Sequence, residues 1–230
     1  MMPAAMIFAA GLGTRMGELT RDRPKGLIEV AGRPLVDHAL ELVREAGVPR
    51  VVVNTHAHAA MMQAHLAAAA PEAVVSHEPE LLETGGGLRR AVPLLGDSPV
   101  FTLTADMVWS GANPLRTLAA AWDGARMDAL LCLVPREAAM GHAGPGDFFR
   151  AEGGLLRRRG TAEAADLVYA GAQIIDTRLL AEVPEGAFSL NVVWDRMLAA
   201  GRLHGVVHTG GWADVGTPAG LARAEAAFGR

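Results

Sequence analysis

The apolar run Ala4-Ala5-Met6-Ile7-Phe8-Ala9 enters Ala10-Gly11-Leu12-Gly13-Thr14-Arg15-Met16-Gly17, and Pro24-Lys25 follows a short way on. An apolar run ended by glycines reads as a short buried strand, Ala4 to Ala9, opening into a loop from Gly11 to Gly17. Glycines let backbone amides approach anionic oxygens, and consecutive amides form a nest for phosphate. Arg15 adds a planar fork that grips phosphate through parallel hydrogen bonds. Lys25 adds a compact cation on a flexible stem. It is the single lysine in a chain whose Lys and Arg total 21. A cation type used once, beside a phosphate-type loop, points to chemistry.

Two better-known glycine motifs fit poorly. A P-loop ends in Gly-Lys-Ser/Thr, which is missing here. The dinucleotide fingerprint needs a third glycine where Met16 stands, and Gly17 comes one residue late. No strand ending in an acidic residue follows about 20 residues on. A hydride-transfer enzyme is therefore disfavoured.

Outward from the loop, Leu27 to Val30 is short and apolar, and Pro34 suits a first helical turn. Leu35, Ala39, Leu42, Val43 and Ala46 recur at helical spacing until Gly47 and Pro49 stop them. Val51 to Asn54, Ala73 to Ser76, Val100 to Leu103 and Ala129 to Val134 read as strands. Ala57 to Ala70, Gly85 to Leu95 and Leu115 to Trp122 read as helices. That alternation predicts an α/β fold with a mostly parallel sheet covered on both faces. Ligands of such sheets sit at the carboxyl ends of the strands, so the loops after Ala9 and Leu103 belong on one edge.

Past Pro135 the rhythm becomes β-rich. Asp147 to Ala151, Leu155 to Arg158 and Leu167 to Ile175 read as strands. A helix over Ser189 to Ala200, a strand over Leu203 to Val207 and a closing helix over Pro218 to Ala227 follow. We expect one domain over 1–230, with a core over 1–134 and a lid-like part with the C-terminal helix over 135–230.

Half of the residues are hydrophobic and 20% are charged, enough for a sizeable core. A net charge of −4 and a pI near 6.1 argue against a dedicated nucleic-acid partner. Cys132, the one cysteine, excludes an internal disulfide and a thiolate-pair metal site. It reads as a small buried strand residue. No apolar stretch reaches the ~20 residues needed to span a membrane. Met1 to Ala10 lacks the cationic start and cleavage site of a signal peptide. These features predict a cytoplasmic protein with no membrane partner.

Two carboxylates stand out. Asp106 follows a strand in Thr104-Ala105-Asp106, and Asp214 lies in Trp212-Ala213-Asp214-Val215-Gly216-Thr217-Pro218. A hard divalent cation is commonly held by one or two carboxylates together with substrate phosphates. A strand-end aspartate can instead cap a helix, but Thr217 is the better cap for a helix starting at Pro218.

Together these residues resemble the signature of the sugar-1-phosphate nucleotidylyltransferases, Gly-x-Gly-Thr-Arg-Met/Leu followed by Pro-Lys. The resemblance extends over nearly the whole chain through Thr104-Ala105-Asp106 and the late Trp-x-Asp-Val-Gly-Thr run. Within that family the chain is most similar to the bacterial N-acetylmuramate-1-phosphate uridylyltransferases of cell-wall recycling. Leu82-Glu83-Thr84-Gly85-Gly86-Gly87, Gly144-Pro145-Gly146-Asp147-Phe148 and Gly186-Ala187-Phe188-Ser189-Leu190 carry that likeness. Mannose-1-phosphate guanylyltransferases share several of these features and remain an alternative, as does a non-catalytic regulatory relative. Ala105 departs from the usual Gly or Ser, and the family's Glu-Lys-Pro segment is missing.

The resemblance implies a Rossmann-like mixed sheet of the nucleotide-diphospho-sugar transferase type, with a smaller β-rich sugar-binding part. It implies transfer of a nucleotidyl group from a nucleoside triphosphate to a sugar 1-phosphate, with pyrophosphate released, in a monomer or small homo-oligomer. Arg15 and Lys25 are the expected catalytic cations. Ala9, Ala10, Gly11, Gly13, Thr14, Glu78, Glu83, Thr84 and Gly85 complete the nucleotide site. Gly146, Asp147 and Gly171 approach the sugar, and Asp106 with Asp214 holds Mg2+. Glu78 is expected to read the base, and Arg150 is a candidate for a sugar carboxylate. Arg157, Arg158 and Arg159 read as a solvated strand edge. His56, His58 and His65 read as surface histidines, and Trp109, Trp122 and Trp194 as core or pocket wall.

Overall fold

Alternate residues of the first strand belong to opposite faces, and that alternation builds the two main cores. In β1 (Ala5–Phe8), Ala5 and Ile7 enter one hydrophobic cluster, while Met6 enters another. The computed structural model describes residues 2–229; Met1 and Arg230, the end points of the expected domain, lie outside the described residues.

After β1 come the short strands β2 (Glu29–Val30) and β3 (Arg33–Pro34), then α1 (Leu35–Ala46), β4 (Val51–Thr55), α2 (Ala59–Ala69) and β5 (Val74–His77). Next are α3 (Glu83–Leu95), β6 (Val100–Thr104), β7 (Met107–Trp109), α4 (Pro114–Ala121) and β8 (Ala129–Pro135). The remainder is β9 (Phe148–Arg150), β10 (Leu156–Arg158), β11 (Leu167–Ile175), α5 (Asn191–Ala199), β12 (Leu203–Val207), β13 (Trp212–Asp214) and α6 (Pro218–Phe228).

Nine strands form the central sheet, including the path β10-β9-β11-β6-β1-β4-β5, with β8 joining β11 to β12. The pairs β1–β4, β1–β6, β4–β5 and β8–β12 are parallel. β11 is antiparallel to both β6 and β8 and makes the sheet mixed. Val36, Leu40 and Val43 of α1, Met62 and Leu66 of α2, and Leu115 and Leu118 of α4 cover one face. Leu88 and Leu95 of α3 and Val193, Trp194 and Met197 of α5 cover the other. The expected mostly parallel α/β sheet with helices on both faces is the observed architecture. Because β8 lies against β11 and β12, the segment after Pro135 shares its sheet with the segment before it.

Several boundaries differ from the pattern reading. Lys25–Leu27 is a 3-10 turn, leaving β2 only two residues. The helix expected from Gly85 starts at Glu83, which holds φ 58°. The strands β7 and β13 were not anticipated. They pair antiparallel, with Asp214 opposite Met107. Thr217 caps α6 as expected, its hydroxyl accepting from the Gly220 amide at 3.1 Å.

Candidate active site

Strand ends and one helix start converge on a cavity of about 400 Å³ at the carboxyl edge of the sheet. Phe8, Ala9, Ala10 and Gly11 follow from β1, Asn54 from β4, and Thr104, Ala105 and Asp106 from β6. Lys25 and Gly26 close one side; Glu78, Leu81, Glu83, Thr84 and Ser189 close the other. This placement follows from topology: parallel β1, β4 and β6 all end here.

The glycine loop arches over Lys25. Gly13 holds φ 65°, and a Cβ there would lie 2.8 Å from Thr20 Cγ2 and 3.2 Å from Lys25 Cβ. Any side chain at 13 would push the loop off the lysine turn. The Thr20 hydroxyl donates to the Gly13 carbonyl at 3.0 Å and fixes this curl. The amides of Gly11, Leu12 and Gly13 find no acceptor among the described residues. They form a nest open to an anion. Thr14 and Arg15 are exposed at its rim.

Lys25 Nζ donates to Asp106 Oδ2 at 2.5 Å, both side chains mostly shielded. β13 sets Asp214 beside Asp106 through its pairing with β7, and the Val215 amide donates to the Asp106 carbonyl at 3.0 Å. Asp214 Oδ1 is buried with no hydrogen-bond partner. Burial raises the Asp214 pKa above the ordinary carboxylate value, and the Asp106 charge raises it further; Lys25 and Arg15 oppose both. Gly216 makes room for this group, since a Cβ there would stand 2.7 Å from Asp214 Oδ1 and 3.0 Å from Arg15 Nη2.

An orphaned carboxylate oxygen next to a second carboxylate is the donor chemistry of a hard divalent cation. The residues therefore fit Mg2+. Among the described residues no group of three or more His, Cys, Asp or Glu is gathered for a metal, so substrate oxygens and water would complete such a shell.

The structure brings Ala9, Ala10, Gly11, Lys25, Glu78, Glu83, Thr84 and Asp106 to the cavity. Gly13, Thr14, Arg15, Gly85 and Asp214 do not border it. Gly146, Asp147 and Gly171 do not border it either. Gly171 backs Thr104, whose Oγ1 would be 2.2 Å from a Cβ at 171. Asp147 Oδ2 accepts the Tyr169 amide at 2.9 Å and pins the start of β11.

Three candidate residues, Glu78, Gly85 and Arg150, are hydrogen-bonded within the protein. Glu78 has no exposed surface. Its Oε1 accepts from Asn54 Nδ2 at 2.7 Å and its Oε2 from the Leu82 amide at 3.1 Å. Both oxygens therefore have partners within the protein, while Glu78 stands in the cavity lining. The Gly85 and Gly86 amides donate to the Phe188 carbonyl at 2.8 and 3.1 Å. Arg150 donates to the Gly205 carbonyl at 2.7 Å, away from the cavity.

Phe8, Gly26, Asn54, Leu81, Thr104, Ala105 and Ser189 were missed as lining residues. Asn54 had a readable signal: an amide directly ending the β-branched run Val51-Val52-Val53.

Elsewhere, His65 pairs with Asp37 at 2.7 Å, and His56 Nδ1 lies 2.8 Å from the Glu78 carbonyl. They share no centre. Arg158 pairs with Asp195 at the edge of the sheet, and Arg157 lies over the Phe149 ring. Trp194 is buried, its Nε1 donating to Gln173 Oε1 at 3.0 Å.

Residues 5–151 match the family described as the MobA-like NTP transferase domain. The chain is 45% identical over 231 residues to the N-acetylmuramate alpha-1-phosphate uridylyltransferase of Caulobacter vibrioides, covering 96% of this chain and 95% of the relative. It is 30% identical over 230 residues to the protein of that name from Neisseria meningitidis serogroup B, covering 98% of each. The fold superposes on HddC from Yersinia pseudotuberculosis with a TM-score of 0.81 at 19% identity, covering 99% of this chain and 100% of that one.

Proposed function

The chain belongs to the MobA-like NTP transferase family, and from that premise we propose that it transfers the uridylyl group of UTP to N-acetylmuramate 1-phosphate. UDP-N-acetylmuramate and pyrophosphate are the products. The likeness to the Caulobacter and Neisseria uridylyltransferases over almost the full chain supports this substrate pair. The single observation that carries the chemistry is Lys25 paired with Asp106 at a cavity bordered by the start of the glycine loop, with the unpartnered Asp214 Oδ1 beside it.

A phosphate oxygen of the sugar 1-phosphate attacks the α-phosphorus of UTP, and the bond from that phosphorus to the β-phosphate oxygen breaks. No covalent enzyme intermediate is needed, so catalysis rests on positioning and charge neutralisation. The open amides of Gly11, Leu12 and Gly13 receive the triphosphate, and Arg15 at the rim neutralises its β- and γ-phosphates. Lys25 serves the α-phosphate, where negative charge builds in the transition state. Asp106 and Asp214 would hold Mg2+, which when bound supplies neutralisation of phosphate charge. Ala9, Ala10, Glu83 and Thr84 border the nucleoside. Gly146, Asp147 and Gly171 shape the sugar side, within the sugar-binding part assigned to 135–230. We place the reaction in the recycling of cell-wall sugar, in the cytoplasm.

A matrix of nucleoside triphosphates against sugar 1-phosphates, read by pyrophosphate release, tests the substrate pair. The expected maximum is UTP with N-acetylmuramate 1-phosphate. A maximum at GTP with mannose 1-phosphate would replace this reading with the guanylyltransferase one.

A further inference from the structure

We propose that His208, which does not border the cavity, is a positioning residue: its ring locks the far end of the β7–β13 pair and so sets the register that brings Asp214 beside Asp106. The consequence for a bound cation rests on the metal reading of those two aspartates; the lock itself does not.

β7 and β13 have three residues each, too few to fix their own register. Side chains alternate along a strand, so a slip of one residue would turn Asp214 to the opposite face. A slip of two would carry it about 7 Å along the strand. The ends of the pair must therefore stop the slide. At the site end the Val215 amide donates to the Asp106 carbonyl at 3.0 Å. At the far end Ser110 faces Gly211, and there the ladder is altered. The Ser110 amide donates to the Gly211 carbonyl at 2.9 Å, as in a regular antiparallel pair. The return bond is not made between backbones. The Gly211 amide donates to Ser110 Oγ at 3.2 Å, and His208 Nε2 donates to the Ser110 carbonyl at 3.1 Å.

His208 belongs to the frame of the main sheet. It is 3% exposed, and its amide donates to the Leu133 carbonyl at 2.8 Å, extending the parallel pairing of β12 with β8. Its ring stands edge-on to Trp109 with 5.0 Å between centroids, and Trp109 meets Trp212 in the same manner at 6.4 Å. Trp212 Nε1 in turn donates to the Ala170 carbonyl of β11 at 2.9 Å. A carbonyl only accepts, so the proton of the neutral ring is on Nε2. Nδ1 is buried with no partner, which leaves Nε2 as the bond that the ring is placed to make. Gly210 closes the joint: a Cβ there would collide with the Ser110 oxygen and lie 2.7 Å from His208 Nε2.

A core histidine that only adds stability would protect the whole sheet evenly. A register lock protects β13 in particular, and that difference is measurable. The Asp214 amide donates to the Met140 carbonyl at 2.8 Å and the Val215 amide to Asp106, so both report whether β13 is seated. Three variants separate the contributions. His208→Leu keeps bulk and loses the donor. His208→Gln keeps a side-chain N–H. Ser110→Ala keeps the histidine and removes the Oγ acceptor at an exposed position.

The experiment measures amide hydrogen exchange and Mn2+ binding, the latter by the EPR signal of free Mn2+, in the wild type and the three variants. In His208→Leu the Asp214 and Val215 amides should exchange about fivefold faster relative to those of Phe101 and Leu103 in β6, the scale of one lost hydrogen bond. The same variant should weaken Mn2+ binding about threefold or more, and Ser110→Ala should shift both in the same direction. His208→Gln should keep both within about twofold of the wild type, since its donor is retained. Exchange that quickens equally in β13 and β6 would make His208 an ordinary core residue and overturn the proposal. His208→Gln as disturbed as His208→Leu would overturn it too, because the hydrogen bond would then not matter. Unchanged Mn2+ binding in His208→Leu, where Asp106→Asn and Asp214→Asn do weaken it, would contradict the positioning role. If those two aspartate variants bind Mn2+ as the wild type does, the metal reading fails, and the exchange pattern decides the lock alone. If His208→Leu does not fold, Ser110→Ala decides: selective quickening at Asp214 and Val215 supports the lock, and its absence overturns it.

Discussion

On the proposed reaction Lys25 serves the α-phosphorus, and its replacement isolates one charge. Lys25→Ala should lower turnover by more than about a hundredfold, because a transition-state contact of this kind is worth roughly 3 kcal/mol. Near wild-type turnover would remove the lysine from the mechanism. Asp106→Asn and Asp214→Asn should each raise the Mg2+ concentration needed for half-maximal rate, since a hard cation loses an anionic ligand. A metal titration of the three proteins checks this, and unchanged midpoints in both variants would contradict it. Cys132 is buried in β8, and burial pushes its thiol up to about 12. It should resist alkylation in the native protein near pH 8 and react only on unfolding. That Lys25, Asp106 and Asp214 would come together was legible because each is an unusual chemical type at a strand end or in a motif. At Glu78 the sequence shows a carboxylate near a loop but not the Asn54 and Leu82 donors that it accepts from. Asn54 was overlooked because a single amide ending a strand looks like ordinary termination until Ala9 and Ala10 are seen beside it.

At the level of elements, the pairing of β7 with β13 brings two distant aspartates side by side. Neither strand was legible. Each is three residues long, too short for alternation to register, and their partners lie about a hundred residues apart. The long periodic elements, α1 and β8 above all, were read almost to the residue because a buried face repeats along them. The start of α3 was placed two residues late, since its glycines look like a loop. Gly85 and Gly86 are instead close-packed against the segment from Gly186 to Phe188. A Cβ at Gly85 would stand 2.3 Å from Phe188 Cε2, and the Gly85 amide is bonded to the Phe188 carbonyl. Gly85→Ala should therefore destabilise the protein by about 1–3 kcal/mol, the usual cost of overpacking. Chemical denaturation measures it; an unchanged midpoint would mean that α3 and the 186–188 segment are not packed as described.

Over the whole molecule, the sheet carries both the site and the pH response. His204 in β12 and His208 just beyond it are buried, and desolvation lowers both pKa values below the ordinary 6.5. The unfolded chain then takes up protons at these positions before the folded one does. Their contribution to stability is full above about pH 6.5 and is lost as pH falls through that value toward the lowered ones. The thermal midpoint should drop between pH 7.5 and 5.5, and the drop should shrink in His204→Gln/His208→Gln. An identical drop in that variant would assign the pH dependence elsewhere. The architecture at this scale was legible because alternating strands and helices admit few arrangements, and β1 with its glycine loop fixes which edge holds the ligand. The central claim is transfer of a nucleotidyl group to a sugar phosphate. It is tested most directly by 31P NMR of UTP, N-acetylmuramate 1-phosphate, Mg2+ and the protein in one tube. The account predicts that the diphosphate signals of a nucleotide sugar and the signal of pyrophosphate grow in equal amounts. Persistence of both substrates, or release of UMP without a nucleotide sugar, would contradict it.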